Sequence, residues 1–114
     1  MKQNKILSLV GLATKGGKTV SGEFATEKAV KAGLACLVIV SEEASENTKK
    51  KFRKMCTFYE VPFCLYGTKT ELGAAMGKEF RASMAVTDPG LSDAIRKQLT
   101  LNDGGSEYVK NESI

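Results

Sequence analysis

The chain has 114 residues, 42% of them hydrophobic, and a net charge of +4, which suits one domain with a real core and argues against wholesale disorder. Its longest apolar run, residues 34–40, has the length of a buried strand and falls well short of the roughly 18 residues a membrane-spanning helix needs. The sequence has no histidine, so the commonest general base is missing along with every Ser-His or Cys-His arrangement, and catalysis starts from a weak position.

Taken in chain order, apolar residues at Ile6, Leu9, Val10 and Ala13 have helical spacing, and Gly16-Gly17 ends that helix. Thr19-Val20-Ser21 is a short β-favouring piece. Gly22 then opens a helix, EFATEKAVKAG, with Glu23 in its first turn and Gly33 just past its end. ACLVIV, residues 35–40, reads as a buried strand. In SEEASENTKKKFRKMCTFYE the acids come early and the cations late, as a helix dipole favours, and Thr48, Phe52, Met55, Cys56 and Tyr59 form an apolar stripe. VPFCLYG is a strand with its proline at the start, TKTELGAAMGKE a short helix, and ASMAVTD a strand. Pro89-Gly90 marks a turn before the last helix, LSDAIRKQLTL. Strands alternating with helices predict an α/β fold, a three-layer α/β/α sandwich. One domain is expected over residues 1–101, with a flexible C-terminal tail over the polar, Gly-rich residues 102–114.

The N-terminus MKQNKILSLVG lacks a long apolar segment and a small-residue cleavage site, so a cytoplasmic protein is expected. Cys36, Cys56 and Cys64 have no C-x-x-C spacing and sit among apolar residues, which predicts three reduced core thiols and no metal or cofactor.

GLATKGGKT, residues 11–19, imitates a nucleotide phosphate loop. Five residues separate Gly11 from Gly17, where that loop has about four. A helical pattern precedes the stretch and a β-favouring piece follows it, the reverse of the required order. Nucleotide hydrolysis is therefore not expected.

Charge points elsewhere. Residues 1–54 carry 11 Lys/Arg and 5 Asp/Glu, whereas residues 55–114 carry 6 and 8. A basic half suggests a polyanionic partner. In the helix after Gly22, Ala25, Ala29 and Ala32 share one face and are expected to pack on the sheet. Phe24, Lys28 and Lys31 share another. A helix N-terminus attracts phosphates. An aromatic ring beside two ammonium groups, reached through Lys15 and Lys18, can stack on an unpaired base and hold its backbone. A core role for Phe24 with solvated lysines is the competing reading. The basic run Lys49-Lys50-Lys51-Phe52-Arg53-Lys54 likewise reads either as a solvated face or as a second RNA or ribosome contact.

GKTVSGEFATEKAVKAGLACLVIVSEEAS, followed by TELGAAMGKEFR and AVTDPGLSDAIRK, resembles the kink-turn RNA-binding ribosomal proteins. These are the superfamily of large-subunit proteins L-seven-Ae and L-thirty-e, and the likeness is greatest to the small bacterial YlxQ-type branch. It spans roughly residues 4 to 100. It implies a mixed four-stranded sheet and binding to a kink-turn, a sharply bent RNA internal loop with tandem sheared G·A pairs. In the family pattern G-x-N-E-x-x-K, the Asn and Glu read guanine edges. Here Gly22 and Lys28 match, while Phe24 and Ala25 replace Asn and Glu. Good bidentate base contacts are worth about 1–3 kcal/mol in DNA recognition, so base readout here should be weakened or redirected, with Glu23 or Glu27 as the available substitutes. The resemblance also implies a second contact at Val86, Thr87, Asp88 and Pro89, with Val86 and Pro89 covering a flipped-out nucleotide. The expected protein is a monomeric, non-catalytic RNA binder, ribosomal or ribosome-associated, with kink-turn-like or bulged structured RNA and ribosomal proteins as partners. The alternative is a protein-interaction module on the same fold.

Overall fold

The computed structural model describes residues 4–101 and the backbone of residues 108–109. Helix α1, Lys5–Lys15, starts where Asn4 caps it, accepting a hydrogen bond from the Leu7 amide at 3.0 Å. Strand β1 is Thr19–Ser21, α2 is Glu23–Lys31 and β2 is Leu37–Val40. Helix α3, Glu46–Tyr59, is capped by Ser45. It begins several residues later than the acidic run suggests. Ser41 is buried, its hydroxyl donates to the Gly67 carbonyl and accepts from the Glu43 amide, and those bonds hold the chain in a turn.

Strand β3, Phe63–Leu65, leads to α4, Lys69–Ala75, which opens with a reciprocal capping box between Thr68 and Glu71. Strand β4 is Ser83–Val86 and α5 is Pro89–Leu101. The turn expected at Pro89-Gly90 is instead the first turn of α5. The Asp88 carboxylate accepts from the Leu91 amide at 2.8 Å, which makes it the cap. Proline is well suited to the first helical position, where its missing N–H is no loss.

The strands lie in the order β1-β4-β2-β3 with a further pair, β5 (Tyr108–Val109), beyond β3. β2 and β3 run parallel and every other neighbouring pair is antiparallel. The expected mixed four-stranded sheet is therefore present, extended by β5. That pair falls inside the stretch expected as a tail, and the rest of that stretch lies outside the described residues.

Side chains alternate across the sheet and split the core in two. Leu37, Ile39, Met84 and Val86 pack with α1, α4 and α5. Val38, Val40, Phe63 and Ala85 pack with α2 and α3, chiefly on Val30, Phe52 and Cys56. This is the predicted α/β/α sandwich. β2 and β4 are buried along their whole length because helices cover both faces. Among the described residues no helix is long and apolar enough to cross a membrane.

Candidate nucleic-acid interface

The imitation phosphate loop is the end of α1. The Gly17 amide donates to the Thr14 carbonyl and the Lys18 amide to the Ala13 carbonyl at 2.8 Å, the paired bonds of a glycine-closed helix end. Those amides are occupied, so they form no phosphate cradle. Lys15 and Lys18 are exposed there.

The start of α2 has the opposite character. Gly22, at φ 95° and ψ 157°, provides no side-chain cap, so the first amides of α2 receive no capping side chain. Phe24 stands beside them with 78% of its surface exposed, which excludes the core role. Lys28 is also exposed and, among the described residues, has no acidic partner. Phe24, Glu27, Lys28, Lys31 and Ala32 line a shallow open groove of about 510 Å³.

The buried face of α2 consists of Thr26, Ala29 and Val30. It differs from the expected alanine face. Ala29 is shared, but Ala32 is exposed because it lies at the helix end, while Ala25 is half-buried. The Thr26 hydroxyl, and that of Ser83 in β4, are buried without a hydrogen-bond partner among the described residues.

Glu23 and Glu27 face α3. Lys51 reaches both, at 2.9 and 2.8 Å, and Lys31 bonds Glu27 at 2.8 Å. The two ammonium groups hold the Glu27 carboxyl down at about 2, Lys31 contributing most, and raise both lysines in return. The ammonium group of Lys31 is therefore shared with an acid, whereas that of Lys28 is not.

Sheet register shows which segments meet at Gly22. The Gly22 amide donates to the Ser83 carbonyl, and the Arg81 guanidinium donates to the Ser21 hydroxyl at 2.9 Å. Arg81, in the segment between α4 and β4, thus lies beside the start of α2, and its neighbour Phe80 is 58% exposed. This segment is not among the site residues expected from the sequence. Its only signal was the GKEFR string, an aromatic between cations.

Val86 to Pro89 lie at the other end of β4. The Thr87 amide donates to the Lys18 carbonyl, and Val86 pairs with Thr19. The three residues of β1 separate that end from Gly22 by about 10 Å. Val86 is fully buried under α1 and α5, so it cannot cover a nucleotide as expected. Asp88 is committed to capping α5, and Pro89 is exposed. The structure therefore puts Arg81 at the Gly22 end of β1 and Lys18 beside Thr87 at the other end.

Comparison with known proteins matches residues 4–96 to the family described as Ribosomal protein L7Ae/L30e/S12e/Gadd45. The chain belongs to this family. It is 40% identical over 87 residues to the RNA-binding protein YlxQ of Bacillus subtilis (strain 168), covering 76% of this chain and 87% of that one. The large ribosomal subunit protein eL30 of Neurospora crassa is 36% identical over 91 residues, covering 78% and 84%. Among solved structures, a Bacillus halodurans protein of unknown function superposes with a TM-score of 0.83 at 37% identity, covering 86% of this chain and 99% of its own. The Giardia lamblia 15.5kD RNA binding protein has the same fold, with a TM-score of 0.73 at 20% identity over 89% and 92% of the two chains. The likeness to YlxQ proteins places the chain in the YlxQ-type branch of this RNA-binding ribosomal family.

Proposed function

We propose that this is a non-catalytic RNA-binding protein, ribosomal or ribosome-associated and cytoplasmic, that acts as a monomer and binds kink-turn RNA at the start of α2. The observation that carries this reading is the pairing of an N-terminus without a side-chain cap at Gly22 with an exposed ring at Phe24 and an unpaired ammonium at Lys28. Helix amides and Lys28 suit phosphates, and an exposed ring suits a base freed from stacking. Arg81 and Phe80 adjoin the site and extend it. Family membership and the printed names of the relatives support RNA as the partner, ribosomal RNA in particular.

Phe24 and Ala25 replace the family's base-reading Asn and Glu, so recognition shifts toward bent-backbone shape and stacking and away from guanine edges. Glu23, tied to Lys51, is turned toward α3 and is a poor substitute. A gel-shift titration compares a kink-turn duplex with one straightened by replacing its sheared pairs. Tighter binding to the kinked duplex, reduced by both Phe24→Ala and Lys28→Ala, is expected. Equal, weak binding to both duplexes removes the kink-turn assignment.

A protein-interaction surface is the second reading. It is favoured by one observation, the two exposed rings Phe24 and Phe80 at the same end of the sheet. A protein contact anchored on such rings persists in high salt, whereas binding held by phosphates does not.

A further inference from the structure

The outer surface of α3 carries a feature that the α2 site does not use. Lys50, Lys54 and Phe58 follow one another at four-residue intervals and so form a single stripe. The core side of the same helix is Phe52 and Cys56, which leaves the stripe facing outward. Phe58 is 78% exposed, as much as Phe24, and Tyr59, expected in the core stripe, is exposed too. The two rings meet edge to face with centroids 4.9 Å apart, an arrangement that steadies Phe58 without covering it.

Acids tie up only part of the basic run. Lys49 pairs with Glu46, and Lys51 with Glu23 and Glu27. Among the described residues Lys50 and Lys54, the two cations in line with Phe58, have no acidic partner. The stripe also continues the α2 surface. Both helices cover the same face of the sheet and run the same way, each following a strand that ends beside Ser83. Lys51 is level with Glu23 and Glu27, and Phe58 lies seven residues, about 10 Å, further along the axis. Glu27, bonded to both Lys31 and Lys51, joins the two surfaces at that level.

We propose that the outer face of α3 is a second RNA contact. It takes an unpaired nucleotide that flanks the structured element on α2, stacking the base on Phe58 while Lys54 and Lys50 hold the adjoining phosphates. Charge decides for RNA over protein: free lysines in line with an exposed ring match a polyanion, whereas lysine is depleted in protein–protein interfaces. The proposal rests on the RNA-binding reading of α2 and assigns a different segment of the same molecule to different residues.

The test uses the full chain and fluorescence anisotropy with a kink-turn duplex, either blunt or carrying a short single-stranded extension at one end, each end tried in turn. One extension should tighten binding by about tenfold, the scale of a single base–aromatic stack. Phe58→Ala should abolish that gain and leave blunt-duplex affinity unchanged. The double variant Lys50→Ala, Lys54→Ala should reduce the gain and flatten its salt dependence. Both changes are at exposed positions, so folding is not in question. Equal affinity for blunt and extended RNA, a gain that survives Phe58→Ala, or no binding of any RNA overturns the proposal. Binding of the extended RNA alone, lost in Phe58→Ala, supports it while removing the kink-turn reading of α2.

Discussion

At φ 95° and ψ 157°, Gly22 occupies a backbone region open essentially to glycine alone. That conformation turns the chain from β1 into α2 and leaves the helix start uncovered. Gly22→Ala should cost about 1–3 kcal/mol in urea denaturation, and RNA binding should weaken as the turn distorts. An unchanged midpoint would show that the turn relaxes without strain. Glu27 offers a second residue-scale check. Its folded carboxyl titrates at about 2, below its ordinary value of 4.5. The stability it contributes is complete above the ordinary value and is lost as pH falls toward 2. NMR titration of the Glu27 side chain should therefore show no protonation at pH 4, whereas a midpoint near 4.5 would mean that the Lys31 and Lys51 contacts are not held in solution. At this scale the resemblance marks Gly22 and Lys28, and what was legible is their placement: Gly22 opens α2 and Lys28 stands exposed on it. The exposure of Phe24 was undecided, since a helical period gives a face but not what covers it. Val86 was misjudged for the same reason. A strand pattern cannot tell one covered face from two, and β4 is covered on both.

The helices and strands were mostly legible, and their starts less so. Periodicity gave all five helices, but α3 and α5 begin where a side chain satisfies the first amides, at Ser45 and Asp88. The Thr68–Glu71 capping box makes α4 a test of such caps. Thr68→Ala should lower stability by about 1 kcal/mol, read from denaturation midpoints. No change would mean that packing of Leu72 alone sets the helix start. α4 also depends on Gly73, where an added Cβ would come within 2.7 Å of the Glu79 backbone. That close approach holds the returning backbone of residues 79–80 on α4, and the loss on Gly73→Ala should be about 1–3 kcal/mol or more. A variant as stable as the parent would show that residues 78–81 can move away freely. This contact is not legible beforehand, because Gly73 looks like an ordinary helix glycine until the returning chain is in place.

At the scale of the molecule, strand order does what local patterns cannot. Placing β4 between β1 and β2 brings Arg81 to the Gly22 end of β1 and carries Val86–Pro89 to the far end. A chain-order reading has no access to that pairing, and the second contact expected at Val86–Pro89 rests on the resemblance alone. The lysines on α2 and α3, together with Lys15 and Lys18, make the proposed partner a polyanion. Binding should weaken linearly on a log–log plot against salt, with a slope of about −0.7 to −0.9 per phosphate neutralised. Lys28→Ala should reduce that slope by about one, and a slope near zero would favour the protein-interaction reading.

The most direct test of the central claim is an amide chemical-shift map recorded while a kink-turn duplex is titrated into the labelled protein. The account predicts the largest shifts at Gly22, Phe24, Ala25 and Lys28 and at Phe80 and Arg81, with Leu91 to Leu99 of α5 unmoved. Shifts confined to α5 and Val86–Pro89, with the start of α2 silent, would contradict it.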